Sequence, residues 1–148
     1  MGTHYKGNKK EIRALDAFIK LNRASESLNS RLSTQLNEWN LTVSQFGALE
    51  ALYHLGPMNL SELSQKLLKS GGNITMVADN LEKRGLLVRK RSKTDRRYVK
   101  VELTYEGKNL IESIFPEHVT NIVNEMIALD PGELEELSRL CKKLGRKV

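Results

Sequence analysis

The feature that most constrains the fold of this chain is a change in the spacing of its apolar residues. Between Asn59 and Gly85 they recur every three or four residues, as in amphipathic helices, with one break at the turn "KSGGN". From Val99 to Leu103 they instead alternate with charged residues, as in a half-buried strand. The segment therefore predicts two short helices followed by extended chain. The helical positions are Leu60, Leu63, Leu67, Leu68, Ile74, Val77, Ala78 and Leu81.

The extended part predicts a β-hairpin with a long polar tip. Leu87 and Val88 begin one strand, six polar residues from Ser92 to Arg97 follow, and the alternating strand closes the hairpin. Two helices joined by a short turn form a helix-turn-helix, and the hairpin after them makes it a winged helix. Such a module inserts its second helix into the DNA major groove and extends its hairpin toward the minor groove. The predicted fold class is mainly α (α+β), a winged helix-turn-helix with a two-stranded β-wing.

Positive charge is concentrated in this hairpin. Between Lys83 and Lys100 nine basic residues stand against one acid, Asp95, so the segment carries +8 while the whole chain carries only +6. The rest of the chain is therefore net negative. Basic side chains that neutralise phosphates release condensed counterions, so the affinity for DNA should fall steeply with salt. Double-stranded DNA is the predicted partner.

Capping patterns mark the helix starts. Thr42 with Gln45, and Asn59 with Glu62, each match a capping box, in which two side chains satisfy each other's backbone donors. Gly56 is predicted to end the second helix in a left-handed conformation. The helix-turn-helix is thus expected to have defined boundaries.

Long helices are predicted at both ends of the chain, over about residues 10–36, from 104 to about 129 with a bend at Pro116, and from Asp130 onward. Their apolar stripes are too long to bury against so small a module. Pairing across a two-fold axis would bury them and duplicate the DNA-reading helix, with half-sites about 10 bp apart. The predicted organisation is a dimerisation helix in residues 1–41, the winged helix in 42–104 and dimerisation helices in 105–148.

Composition argues against several classes of protein. No apolar run approaches the roughly 20 residues that cross a bilayer, and the N-terminus lacks the apolar core of a secretory signal. A single cysteine, Cys141, suits a reducing compartment. No metal-ligand spacing and no catalytic triad or carboxylate pair stands out. We therefore expect a cytoplasmic protein that is not an enzyme, does not bind membranes and requires no metal or cofactor.

The run "LEKRGLLVRKRSKTDRRYVKVELTYEGKNLI" resembles the wing region of the MarR family of bacterial transcriptional regulators. "LTVSQFGALEAL" and "NLSELSQKL" are similar to the family's second and third helices, so the resemblance covers most of the chain. The family's wing signature, aspartate-x-arginine followed by leucine-threonine and then glycine, is matched by Asp95, Arg97, Leu103, Thr104 and Gly107.

The resemblance implies a homodimer that straddles a pseudo-palindromic operator. It also implies a repressor, released by a small phenolic or lipophilic ligand or by oxidation of a cysteine. Within the wing, it implies that Asp95 braces the hairpin and that Arg97 enters the minor groove. From the residues alone, Asp95 either pairs with Arg91 or Arg96, or is a solvated turn residue.

The predicted DNA contacts fall in the second helix of the pair and in the wing. Asn73 and Thr75 are candidates for base contacts, because asparagine bonds adenine in a bidentate manner and threonine offers a hydroxyl or a methyl group. Asn73 could instead cap the turn. Many family members have arginine where this chain has Met76, so a contact is missing or moved. Backbone amides near Ser70 and Gly72 would meet a phosphate. The wing cations expected at DNA are Arg91, Lys93, Arg96 and Arg97.

An effector pocket is expected between the winged helix and the dimerisation helices, as the resemblance implies. Residues at such positions can also simply be core. The histidines, His118 among them, are expected to be ordinary surface or capping residues. Cys141 could be an oxidation sensor, but it lies on the leucine face of the last helix, where a buried thiol would be inert. The candidate pocket residues are Trp39, Phe46, Tyr53 and His54.

The predicted function is a dimeric, sequence-specific transcriptional regulator, and three alternatives remain. A constitutive or architectural DNA-binding protein would release no DNA on addition of a ligand. A small enzyme with a basic cleft would need a cluster of titratable residues that the sequence does not offer. A membrane-surface protein would need its basic residues on one amphipathic helix, whereas here they lie in a hairpin.

Overall fold

The computed structural model describes residues 2–67 and 71–146. Within these ranges the chain is mainly helical, with one small sheet, which confirms the predicted fold class. The elements, in chain order, are α1 (Lys9–Leu36), a 3-10 turn (Asn37–Trp39), α2 (Val43–Leu55), β1 (Met58–Asn59), α3 (Leu60–Leu67), α4 (Gly71–Lys83), β2 (Leu87–Arg91), β3 (Val99–Leu103), α5 (Tyr105–Glu125) and α6 (Pro131–Gly145).

The predicted capping boxes at Thr42 and Asn59 are confirmed. The Thr42 hydroxyl accepts a bond from the Gln45 N–H at 3.1 Å, and the Gln45 side chain accepts one from the Thr42 N–H. Asn59 and Glu62 exchange the same pair of bonds at the start of α3. Asp130, as predicted, caps α6. These local contacts satisfy backbone donors that helix starts leave free.

The sheet is antiparallel, with strand order β1-β3-β2. The predicted hairpin forms β2 and β3, with Leu87 opposite Leu103 and Arg91 opposite Val99. The third strand, β1, was not predicted. It pairs Met58 with Val101 across the sheet, and two residues are too short to show an alternating pattern.

Two details of the helix ends differ from prediction. Gly56 has φ +83° and ψ −173°, an extended conformation of positive φ rather than the left-handed helical one. A side chain there would be strained, because L-residues rarely adopt such φ values. Helix α5 ends at Glu125, four residues before the predicted Leu129, and a turn follows in which the Leu129 N–H donates to the Met126 carbonyl.

The chain divides into two compact units, the first running to Ile114 and the second beginning at Phe115. The first unit holds α1, the winged helix and the start of α5, around a core of fully buried side chains. The assignment of residues 1–41 and 105–148 to dimerisation concerns a second copy of the chain and stays a prediction. The core residues are Leu36, Leu41, Leu49, Leu63, Ile74, Leu81, Leu87, Val101 and Ile111.

A close backbone contact fixes the base of the wing. The Thr104 hydroxyl donates to the Gly85 carbonyl at 2.6 Å and accepts a bond from the Gly107 N–H at 3.0 Å. The Thr104 N–H donates to the Leu86 carbonyl. A Cβ atom on Gly107 would lie 1.9 Å from that same carbonyl oxygen. Only glycine therefore lets α5 approach the turn between α4 and β2 this closely.

Candidate nucleic-acid interface

Helix α4 buries one face and presents the other to solvent. Ile74, Val77, Ala78 and Leu81 are buried, as the three- and four-residue spacing predicted. The predicted contact residues Asn73, Thr75 and Met76 are exposed, and Met76 exposes 58% of its surface. Gly72 lies in the first turn of α4, whereas Ser70 lies outside the described residues. The side chains of these three predicted contact residues are therefore accessible to solvent.

The wing tip is closed by its own hydrogen bonds. The Ser92 N–H donates to the Tyr98 carbonyl at 2.9 Å, and the Tyr98 N–H donates to the Asp95 carbonyl at 3.0 Å. The Ser92 hydroxyl accepts a bond from the Asp95 N–H. Around this closed loop the side chains of Arg91, Lys93 and Arg96 are exposed. The tip is therefore an ordered loop that presents cations.

Asp95 pairs with Arg97, so the prediction that it pairs with Arg91 or Arg96 is wrong. One carboxylate oxygen accepts bonds from the Arg97 backbone N–H at 3.0 Å and from its Nε at 3.2 Å, and the other lies 3.4 Å from Nη2. An aspartate in a turn bonds the backbone two residues on, which places that residue's side chain over the carboxylate. The Arg97 side chain nevertheless remains 91% exposed.

Several cations of the wing region are engaged within the protein. Arg89 donates to Asp79 at 2.6 Å and to Glu82 at 3.1 Å, and Lys90 pairs with Glu102. The Arg84 guanidinium donates to the Asn40 carbonyl. When the four carboxylates between residues 79 and 103 are counted against the nine basic residues, the net charge is +5 rather than +8. The sequence count overstated the charge available to a polyanion.

Two features of this surface were missed by the sequence reasoning. The link from Arg89 to α4 joins residues seven and ten positions apart on different elements, so no local pattern reveals it. Tyr98, directly after Arg97, exposes 57% of its surface at the wing. An exposed aromatic residue within a polar loop was the signal that could have identified it.

A pocket of about 550 Å³ lies beside α2, β3 and α5. Of the candidate effector residues it contains Tyr53 and His54 but neither Phe46, which is buried in the core, nor Trp39. The Tyr53 hydroxyl donates to the Glu112 carboxylate at 3.2 Å. Its lining residues are Leu52, Tyr53, His54, Pro57, Glu102, Leu103, Lys108 and Glu112.

The electrostatics of this pocket favour a neutral tyrosine. Partial burial, and then the adjacent Glu112 carboxylate, raise the pKa of Tyr53 above its ordinary value. The Lys108 ammonium lies 3.9 Å from the same carboxylate. The tyrosine therefore keeps its proton at neutral pH, and the pocket offers hydroxyl, imidazole, carboxylate and ammonium groups to a ligand.

The second unit carries much exposed apolar surface. The expectation that Cys141 is buried is wrong for a single chain, because the residue is exposed. His118, expected at the surface, is instead buried and lies beside the Phe115 ring. The exposed apolar residues are Val119, Ile122, Val123, Ile127, Leu137, Leu140 and Leu144.

Within the described part of the chain, no three or more His, Cys, Asp and Glu residues come together in a way that could hold a metal ion. Nor does any helix there combine the length and the hydropathy that crossing a bilayer requires.

Comparison with known proteins yields consistent matches. Residues 41–99 match the profile of the MarR family. The chain is 36% identical over 133 residues to the HTH-type transcriptional regulator MhqR of Bacillus subtilis (strain 168), covering 90% of this chain and 92% of MhqR. Among solved structures, the MarR family regulator AbsC of Streptomyces coelicolor superposes with a TM-score of 0.85 at 21% identity, over 96% of this chain and 97% of AbsC.

A second solved structure concerns regulation by a small molecule. BpsR of Bordetella bronchiseptica has a TM-score of 0.81 and 26% identity, over 87% of this chain and 98% of BpsR. The DNA binding of BpsR is regulated by 6-hydroxynicotinic acid.

Proposed function

This chain belongs to the MarR family of transcriptional regulators, and we propose that two copies of it bind a pseudo-palindromic operator and repress transcription. The observation that carries the proposal is the placement of an exposed, polar helix face on α4 next to an ordered cationic wing. The first can read base edges, while the second can follow the phosphate backbone.

The roles within the interface follow from these positions. Asn73, Thr75 and Met76 face the major groove from α4, and the first turn of α4 around Gly72 receives a phosphate. Asp95 braces the wing so that the exposed Arg97 reaches the minor groove. The wing cations Arg91, Lys93 and Arg96 neutralise phosphates.

Dimerisation is supported by the exposed apolar residues of the second unit. Exposing this many aliphatic side chains to water is unfavourable, and a second copy is the partner that a two-fold operator requires. Leu137 and Leu140 lie on α6 and expose 37% and 47% of their surfaces. Burial in a dimer would also enclose Cys141.

The effector is proposed to be a small phenolic or lipophilic molecule. It would occupy the pocket lined by Tyr53 and His54 and favour a spacing of the two α4 helices that no longer matches successive grooves. The regulation of BpsR by a small aromatic acid supports a ligand of this size. A differential affinity of roughly 1–3 kcal/mol between the two arrangements would suffice. A regulator of this kind acts on chromosomal DNA, so we place it in the cytoplasm.

Selection of bound duplexes from a random pool tests the DNA-binding proposal. We expect enrichment of an inverted repeat with half-sites about 10 bp apart, one turn of DNA. Light scattering on the free protein should give the mass of two chains. An enriched site without two-fold symmetry, or a protein that is monomeric on DNA, would contradict the proposed assembly.

Ligand titration separates a switch from a constitutive binder. Phenolic and fatty acids are added to the protein bound to its selected operator, and DNA release is measured by gel shift. Release that is lost in Tyr53→Phe supports the effector pocket. Unchanged binding across the whole panel would favour a constitutive or architectural DNA-binding protein.

A further inference from the structure

We propose that Arg89 is a positioning residue for DNA binding, which locks the DNA-reading helix α4 to the wing without touching DNA itself. The inference rests on the proposed function above. It assigns to one half-buried cation the task of holding α4 and the wing in a fixed relation.

Three hydrogen bonds join β2 of the wing to α4. From β2, the Arg89 guanidinium donates through Nη2 to Asp79 at 2.6 Å and through Nη1 to Glu82 at 3.1 Å. The Arg89 backbone N–H donates to the second Glu82 oxygen at 3.1 Å. Both acceptors lie on α4, about one helical turn apart, so the planar guanidinium spans the last turns of that helix.

The guanidinium is committed to these carboxylates and is not available to a phosphate. The Arg89 side chain is only 24% exposed, whereas that of Arg97 is 91% exposed. Charge-assisted hydrogen bonds to two carboxylates hold it in place. The two acids expose 50% and 40% of their side chains on the helix that faces DNA. Without Arg89 they would be uncompensated negative charges there.

The positioning role and a purely electrostatic role predict opposite changes in DNA affinity when Asp79 or Glu82 is neutralised. If Asp79 and Glu82 acted only through their charge, neutralising them would tighten DNA binding, because repulsion of phosphate would fall and Arg89 would be released. If their bonds to Arg89 position α4 against the wing, neutralising them weakens binding. The two models therefore predict opposite changes for the same substitution.

The test measures affinity for the selected operator over a range of salt concentrations. The variants are Asp79→Asn, Glu82→Gln, Arg89→Gln and the matched control Lys90→Gln. Lys90 is the next residue, carries the same charge and pairs with Glu102 inside the hairpin, so its loss leaves α4 untouched. Thermal melts of each variant report folding.

We expect Asp79→Asn and Glu82→Gln to weaken binding severalfold and Arg89→Gln to weaken it about tenfold, the scale of a lost charge-assisted bond. Lys90→Gln should have a smaller effect. The slope of affinity against salt should be the same for Arg89→Gln as for the original protein, because no phosphate contact is lost.

Tighter binding by Asp79→Asn, or equal losses in Arg89→Gln and Lys90→Gln, would overturn the positioning role. So would a salt slope lowered by about one in Arg89→Gln, which is the mark of a phosphate contact. If Arg89→Gln fails to fold, the two carboxylate variants decide the matter alone. An original protein that binds no selected duplex refutes the proposed function instead.

Discussion

Helix α4 and the wing are adjacent in sequence and opposite in charge. Helix α4 contains one basic residue, Lys83, against Asp79 and Glu82, for a net charge of −1. The hairpin Leu87–Leu103 contains seven basic and two acidic residues, for a net charge of +5. In the proposed interface the wing would supply attraction that any duplex feels, and α4 would supply discrimination among sequences.

Helix α4 and the wing are joined by a turn that packs against α5. The largest expected effect therefore comes from disturbing this contact. Gly107→Ala places a Cβ atom 1.9 Å from the Leu86 carbonyl oxygen and 2.9 Å from its carbon. Both are backbone atoms, so α5 must move away from the turn that joins α4 to β2. We expect a loss of about 3 kcal/mol in the free energy of unfolding, measured by urea denaturation.

A matched glycine serves as the control for this substitution. Among the described residues, no atom lies within 4 Å of the Cβ that Gly145→Ala would add, and the residue is the last of α6. It should leave stability unchanged or raise it slightly, by roughly 0.4–1 kcal/mol. Equal stability of the two variants would show that the contact between α5 and Leu86 is looser than described.

The second test removes the most exposed cation of the wing. Arg97→Ala should weaken binding by about 2 kcal/mol on the operator and by a similar amount on an unrelated duplex, because the wing does not select sequence. Fluorescence anisotropy on both duplexes measures this. Arg13→Ala removes an equal charge from the exposed surface of α1. If Arg13→Ala weakens DNA binding as much as Arg97→Ala does, then total charge rather than the wing governs affinity.

The fold was largely predictable because its signals are local. The caps at Thr42, Asn59 and Asp130 each depend on residues three positions apart, and each is confirmed. The wing signature likewise identified Gly107, although only the structure shows that the Leu86 carbonyl excludes a side chain. Local patterns therefore located the elements but not their mutual contacts.

What sequence reasoning missed depends on contacts between distant residues. Strand β1 is two residues long and exists because Met58 pairs with Val101, 43 positions later. The prediction for Asp95 failed for a different reason: charge alone could not choose among three nearby arginines, and the turn geometry chose Arg97. His118 was misplaced because burial of a polar side chain depends on tertiary packing.

The third test addresses discrimination by α4. Asn73→Ala should lose about 1–3 kcal/mol on the operator, the range of a bidentate base contact, and much less on an unrelated duplex. Asn80→Ala, seven residues along the same helix and also exposed, is the control and should change neither affinity. Equal losses on both duplexes would mean that Asn73 contributes to binding without reading a base.

The smallest expected effect concerns Met76. Its exposed, uncharged side chain offers α4 an apolar contact, and the thymine methyl group is the apolar feature of the major groove. Substituting uracil for individual thymines of the operator removes only that methyl. At one position the original protein should lose about 0.8 kcal/mol, the value of burying one methylene, while Met76→Ala loses nothing further there. This double-mutant cycle isolates the contact. If the uracil effects are identical in both proteins at every position, Met76 reads no methyl group, and the specificity of α4 depends on its polar residues alone.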